Sequence, residues 1–228
     1  MRVLLSLAVV AVLAAGIVTV LRDVPFGGNS SRLGSHFVEN GREDTGAANI
    51  VTSVVLGYRG FDTLGEVTVL FVAAVGLGAL LVAGEKNAPR KLEKASMVLT
   101  TGSRFLFPLI LLFGAYIFIH GHLTPGGGFQ GGAIIASGYL LVYLGSRDRR
   151  LGKNWAASIE TGGGLTFVLL GLAGLTAAGH WFLSNFLPLG VPGQLLSAGI
   201  IPIIYVAIGL KVGVELTGVI DSLMGGTE

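Results

Sequence analysis

The chain has 228 residues, 52% of them hydrophobic and 12% charged, with a formal net charge of +2. Soluble domains carry about 25% charged residues, so a soluble globular class is excluded, and the absence of cysteine excludes disulfides, thiolate metal sites and cysteine nucleophiles. No basic patch is interleaved with aromatics, so nucleic acid is excluded as a partner.

The charges cluster and leave six apolar runs, roughly residues 3–21, 63–83, 105–121, 126–145, 159–182 and 195–220. Each is long enough to cross about 30 Å of hydrocarbon at 1.5 Å per residue. Lipid admits only helices and closed barrels. The runs are continuous rather than alternating, which favours helices. The expected fold is an all-α integral membrane protein with six transmembrane helices and a lipid bilayer as its solvent.

The first run, "VLLSLAVVAVLAAGIVTVL", is too long for the apolar region of a signal peptide. No polar cleavage region follows it before Arg22, so a retained helix is expected. Residues 22–46 read as a polar loop. "AANIVTSVVLGY", residues 47–58, is apolar but has only 12 residues. As a helix it would reach about 18 Å, too short to cross. It is expected to be re-entrant or interfacial.

The second run opens with "FDTLGEVTVLF". Asp62 and Glu66 stand at i and i+4, on one helical face. Two carboxylates on one face can split their pKa values, which suits proton or sodium transfer, and Arg59 is close enough to bias either. The structural alternative is a solvated helix end capped by Asp62. Residues 84–104, "GEKNAPRKLEKASMVLTTGSR", form a charged linker. The expected organisation is a two-helix unit over 1–84, a cytoplasmic linker over 85–104 and a four-helix unit over 105–228.

Between the third and fourth runs lies "HGHLTPGGGFQGG", residues 120–132. Pro125 suits the first turn of a helix, so the fourth helix is expected to begin there. Gly127 and Gly131, and Gly128, Gly132 and Ala136, recur at four-residue spacing, a pattern that brings helix backbones close together in lipid. That requires a partner helix in this chain or another. A half-open helix start facing a polar cavity is the functional reading. His120 and His122 at i and i+2 would point apart on a helix, and nothing completes a metal shell around them. Proton handling, or hydrogen bonding to the glycine turn, fits them better.

Glu160 is expected at the start of the fifth helix, where the helix dipole accounts for it; transport is the other reading. In the last run, Lys211 and Glu215 stand again at i and i+4, as a relay element or as a snorkelling structural pair. Pro202 is expected to kink this helix. Orientation follows the basic residues. With the N-terminus on one side, that side holds Arg2, the five from Lys86 to Arg104 and the four from Arg147 to Lys153; the other holds Arg22, Arg32, Arg42 and Arg59. Both termini are therefore expected in the cytoplasm. All four histidines, including His36 and His180, then fall on the outer side.

The string HGHLTPGGGFQGG, within "TGSRFLFPLILLFGAYIFIHGHLTPGGGFQGGAIIASGYLLVYL", resembles the MnhB/MrpB subunit of the Mrp-type multisubunit sodium/proton antiporters. Pro125, Gly126, Gly127, Gly128, Phe129, Gly131 and Gly132 carry the match. Upstream, "YRGFDTLGE" resembles the C-terminal extension of the large antiporter subunit, which in membrane-bound hydrogenases is a separate, small subunit. Together the two resemblances cover nearly the whole chain. They imply a membrane subunit of such an assembly, with other membrane subunits and sodium or protons as partners and no cofactor of its own. The fusion leaves open a stand-alone antiporter or a hydrogenase-type, redox-driven complex. It also leaves open an ion-conducting subunit, with Glu66, Asp62 and Lys211 along a water-filled path, or a packing subunit that conducts nothing. A non-catalytic subunit is expected, since no phosphate-binding loop, dinucleotide fingerprint, GxSxG or HExxH stands in usable context.

Overall fold

The computed structural model describes residues 2–23, 32–84, 95–146, 150–178 and 181–224. Among these, all regular structure is helical. In chain order, α1 is Arg2–Asp23, α2 Arg32–Thr45, α3 Ile50–Thr52 and α4 Gly60–Gly84. A π-helical segment, Ser53–Tyr58, joins α3 to α4. There follow α5 Met97–Ile119, α6 Gly128–Gly145, α7 Lys153–Ala173 with a π-helical extension Gly174–Ala178, and α8 Ile201–Leu223. Six of these helices, α1 and α4 through α8, are long and apolar enough to cross a membrane. Residues 50–58 are helical but not among them, in keeping with a segment too short to span.

The chain divides into two compact units, Met1–His36 and Phe37–Glu228. In the first, α1 is exposed along its length. Its one mid-helix hydroxyl past the first turns, Thr19, turns back onto the Ala15 and Gly16 carbonyls, so that face remains apolar.

The second unit is built around α8. Ile201, Ile204, Tyr205, Ile208 and Val212 lie buried in its core, with Leu56, Val67, Phe167 and Leu183 from other elements. α6 and α7 flank α8, and α4 and α5 also touch it. The α5–α6–α8 contact is a glycine interface. A Cβ on Gly128 would stand 2.6 Å from Ile208 Cβ, and one on Gly132 2.8 Å from Val212 Cβ. A Cβ on Gly131 would stand 2.6 Å from the Gly114 carbonyl. Only hydrogen fits there, and the backbones close to a distance that larger residues forbid. The partner that these glycines require therefore lies within this chain.

Four local expectations change. The polar loop expected over 22–46 contains α2, because Phe37 stacks on Tyr58 and Thr45 Oγ1 donates to the Gly41 carbonyl. The fourth membrane helix begins at Gly128, not Pro125. Gly127, with φ 146°, turns the chain into α6, a conformation that disfavours a side chain. Pro202 occupies the first turn of α8 and kinks nothing, because the helix starts at Ile201 rather than near 195. The interior proline of the bundle is Pro108, in α5. α7 starts at Lys153, several residues before the expected 159. Much of the expected cytoplasmic linker (residues 85–94), with Arg147, Arg149 and His180, lies outside the described residues.

Candidate functional site

Lys211 is the eleventh of α8's 23 residues, and Glu215 stands one turn later. Lys211 Nζ donates to Glu215 Oε2 at 3.1 Å, with side-chain exposures of 8% and 2%. The pair thus sits mid-helix in the most enclosed of the described spans. A lone charge there would cost at least about 2.5–3.5 kcal/mol. Pairing lowers that cost but leaves both ions desolvated. Glu215 Oε1 has no hydrogen-bond partner among the described residues.

Lys211 opens onto a cleft of about 280 Å³ between α4, α7 and α8. Leu64, Thr68, Phe71, Glu160, Thr161 and Gly164 line it. The ammonium lies 5.0 Å from the Phe71 ring centroid, a cation–π geometry. Glycine shapes the other wall. A Cβ on Gly163 would stand 3.0 Å from Lys211 Cβ, and one on Gly164 3.7 Å from Lys211 Cε. The stem of Lys211 therefore lies along α7.

Glu160 joins this site. It is the eighth residue of α7, beyond the first turn, where the helix dipole has faded. The dipole account of Glu160 is thus set aside. It interacts electrostatically with Glu215 and lines the same cleft. Glu160 and Lys211, from two helices, line this cleft, and Lys211 in turn holds the buried Glu215. On the side toward the α8 N-terminus, Ile204 and Ile208 are 1% and 2% exposed and close the stripe above Lys211. The cleft meets the pair at Lys211.

Glu66 and Asp62 are placed elsewhere. Both are exposed, while Leu64 and Val67 between and beside them face inward. Arg59 pairs with Asp62 at 2.6 Å in a solvent-exposed bridge. Asp62 is in the first turn of α4 rather than capping it.

His120 and His122 part company. His120 is half-buried, stacks on Tyr116 at 4.2 Å and shares a hydrogen bond with the Tyr116 carbonyl. His122 is fully buried, and neither ring nitrogen has a partner at hydrogen-bonding geometry among the described residues. Burial pushes its pKa down, and nearby main chain at Gln194, Leu195 and Ile119 acts against that. The turn that carries it is tied down by residues 49–52. Asn49 Nδ2 donates to the Gly121 and Thr124 carbonyls at 2.9 and 3.0 Å. Thr52 Oγ1 donates to the Gly121 carbonyl at 2.8 Å and lies 2.8 Å from Tyr205 Oη. The Thr52 proton is spent on that carbonyl, so Tyr205 is the donor to Thr52. Pro125 and Gly126 complete the turn; a Cβ on Gly126 would stand 2.9 Å from the Ile117 carbonyl. Phe129 packs against the core beside it.

Thr68, Phe71, Asn49, Thr52 and Tyr205 escape a reading by motif. Their signal is weak. A polar side chain in an apolar run, such as Thr68, is found only once helix phase is known.

The domain related to the MnhB subunit of Na+/H+ antiporters matches residues 98–218, and the MbhE family, one of the subunits of MBH, matches residues 2–89. A chain in the structure of the membrane-bound sulfane sulfur reductase, an archaeal respiratory membrane complex, superposes with a TM-score of 0.78. It is 44% identical, and the match covers 97% of each chain. A chain of the Mrp complex from Dietzia sp. DQ12-45-1b gives a TM-score of 0.76 at 29% identity. That match covers 97% of this chain and 26% of the other. An uncharacterized protein of Methanocaldococcus jannaschii is 32% identical over 191 residues, 72% of each.

Proposed function

Because the chain belongs to the family of domains related to the MnhB subunit of Na+/H+ antiporters, we propose that it is a membrane subunit of an antiporter-derived module within a redox-driven complex. It is a non-catalytic subunit of the cell membrane, with both termini in the cytoplasm, and other membrane subunits pack around it. The end-to-end match to a chain of a respiratory membrane complex supports a redox-driven host over a stand-alone antiporter. The unit boundaries at 84 and 105 belong to the same reading.

The buried Lys211–Glu215 pair, which meets at Lys211 the cleft that Glu160 also lines, carries the proposal that the chain helps move ions. Lys211 holds one carboxylate while the other takes a proton or a sodium ion, and a shift of the ammonium hands the charge on. Glu66 and Asp62, on the outer face of α4, serve an adjoining part of the path at the contact with a neighbour. The reading of a pure packing subunit loses one support, since the α6 glycines are filled by α5 and α8 of this chain.

The test replaces the pair as a unit. Lys211→Met with Glu215→Leu removes both charges and keeps the volume, a change that buried pairs tolerate. The expected result is a complex that assembles with its full subunit content and forms no ion gradient in vesicles. Gradient formation at the wild-type rate would make the pair structural. The proteins that co-purify with the tagged chain test the host. Redox subunits are expected among them, and their absence would return the reading to a stand-alone antiporter.

A further inference from the structure

The turn between α5 and α6 joins two parts of the chain. Four hydrogen bonds from Asn49 and Thr52 converge on the main chain of Gly121, His122 and Thr124, including Asn49 N to the His122 carbonyl at 3.1 Å. Ser53, directly beside them, is 0% exposed, as is Ala47. The His122 imidazole on this turn, beside the main chain of Ile119, Gln194 and Leu195, is also 0% exposed, with neither nitrogen at hydrogen-bonding geometry among the described residues. A neutral imidazole can be held this way. An imidazolium is held less well: the Gln194, Leu195 and Ile119 main chain favours it, but no counter-charge or aligned acceptor makes up for its lost water.

The surroundings offer no counter-charge. His120, on the same turn, is itself a base and opposes a second positive charge. α6 and residues 181–200 contain no acidic or basic residue. From α8 the nearby titratable group is Tyr205, whose hydroxyl is engaged with Thr52; the acids of that helix, Glu215 and Asp221, lie ten or more residues further on. In the 41–58 segment, Asp44 is bound by the Tyr58 hydroxyl at 2.5 Å, and Arg42 and Glu43 are exposed. The one basic residue of α5, Arg104, stands near the opposite end of that helix.

We propose that His122 is a pH switch on this clamp: neutral, it lets residues 49–52 hold the α5–α6 turn, and protonated, it destabilises its buried site and opens the clamp. The sign follows from linkage. A base that is harder to protonate when buried makes the closed form lose stability as pH falls below the ordinary histidine value of about 6.5. The loss reaches up to about tenfold in the closed-to-open ratio per pH unit, and ends once the buried form also protonates. The clamp is therefore closed at neutral and alkaline pH and weakens in acid. Opening it frees Tyr205 of α8 from Thr52 and loosens the entry to α6, the helix packed against α8.

Because the chain has no cysteine, single cysteines report opening directly. Ser53→Cys is the buried probe, and Glu39→Cys, exposed on α2, is the reference that cancels the intrinsic pH dependence of thiol reactivity. Both are labelled with a maleimide in membranes that hold the assembled complex. The ratio of Ser53→Cys to Glu39→Cys labelling is expected to rise about tenfold between about pH 7.5 and about pH 5. His122→Asn and His122→Phe, which do not titrate, should each hold the ratio low and flat. A rise that persists in both variants, or no rise in the native sequence, overturns the switch. High labelling at every pH in both variants overturns it as well, by making His122 a packing residue only. The readout is independent of ion transport, so failure of the switch and failure of the Lys211–Glu215 site are told apart.

Discussion

α4 and α8 are both apolar spans with carboxylates inside them, and the chain treats them in opposite ways. In α8 most of the apolar span is buried, and Glu215 has its own Lys211. In α4 almost none of it is, and Glu66 faces outward. Gly65, Gly76 and Gly78 of α4 have nothing within 4 Å of a built Cβ, whereas Gly128, Gly131 and Gly132 of α6 meet neighbours at less than 3 Å. One part of the chain is satisfied by its own fold. The other carries a charge and small residues that its own unit leaves uncovered among the described residues, and lipid offers a carboxylate nothing.

The sharpest way to break this contrast is to remove one half of the satisfied pair. Glu215→Gln leaves the Lys211 ammonium buried without its counter-charge. The isolated chain should lose about 3–5 kcal/mol of stability, read from unfolding in detergent. A loss below about 1 kcal/mol would mean that water reaches the pair freely. Next, Gly132→Val forces a side chain against Val212 and the Gly209 carbonyl. It should cost about 1–3 kcal/mol by overpacking. Gly76→Val should leave the isolated chain unaffected and lower only the yield of assembled complex. Equal effects at both positions would erase the distinction between inner and outer glycines.

Glu66→Gln comes third. It should leave the chain's own stability unchanged and reduce ion transport by the intact complex at least about tenfold, or about 1.4 kcal/mol. Glu66→Asp should keep part of the activity. Wild-type transport by an assembled Glu66→Gln complex would make this glutamate a structural helix-start residue. The smallest effect is expected at Arg59→Ala. Its bridge to Asp62 is exposed on both sides and contributes less than about 1 kcal/mol. A larger change in transport than in stability would place Arg59 beside Glu66 at the neighbouring subunit.

The sequence was sufficient for whatever follows from composition and length. Six spans were legible because hydrocarbon thickness fixes run length, and the helical residues 50–58 fall short of that length, as their 12-residue apolar run suggested. The i, i+4 pairing of Lys211 with Glu215 follows from helix period alone. Phase and depth were not legible. Glu160 was read as a helix-end residue because α7 begins well before its apolar run does; a membrane helix extends past the apolar stretch when its end is supported by other contacts. Pro125 and Pro202 were each misplaced relative to the helix start beside them, since a proline marks a helix start without saying which side of it the start lies. Which face of α4 turned inward, and that the glycines of α6 would be filled from within, depended on contacts between residues far apart in the chain. His122 is the clearest case. Nothing in HGHLTP tells one histidine from the other; burial beside Gln194 and Leu195 of the loop before α8 does, and only the tertiary structure brings those residues to the turn.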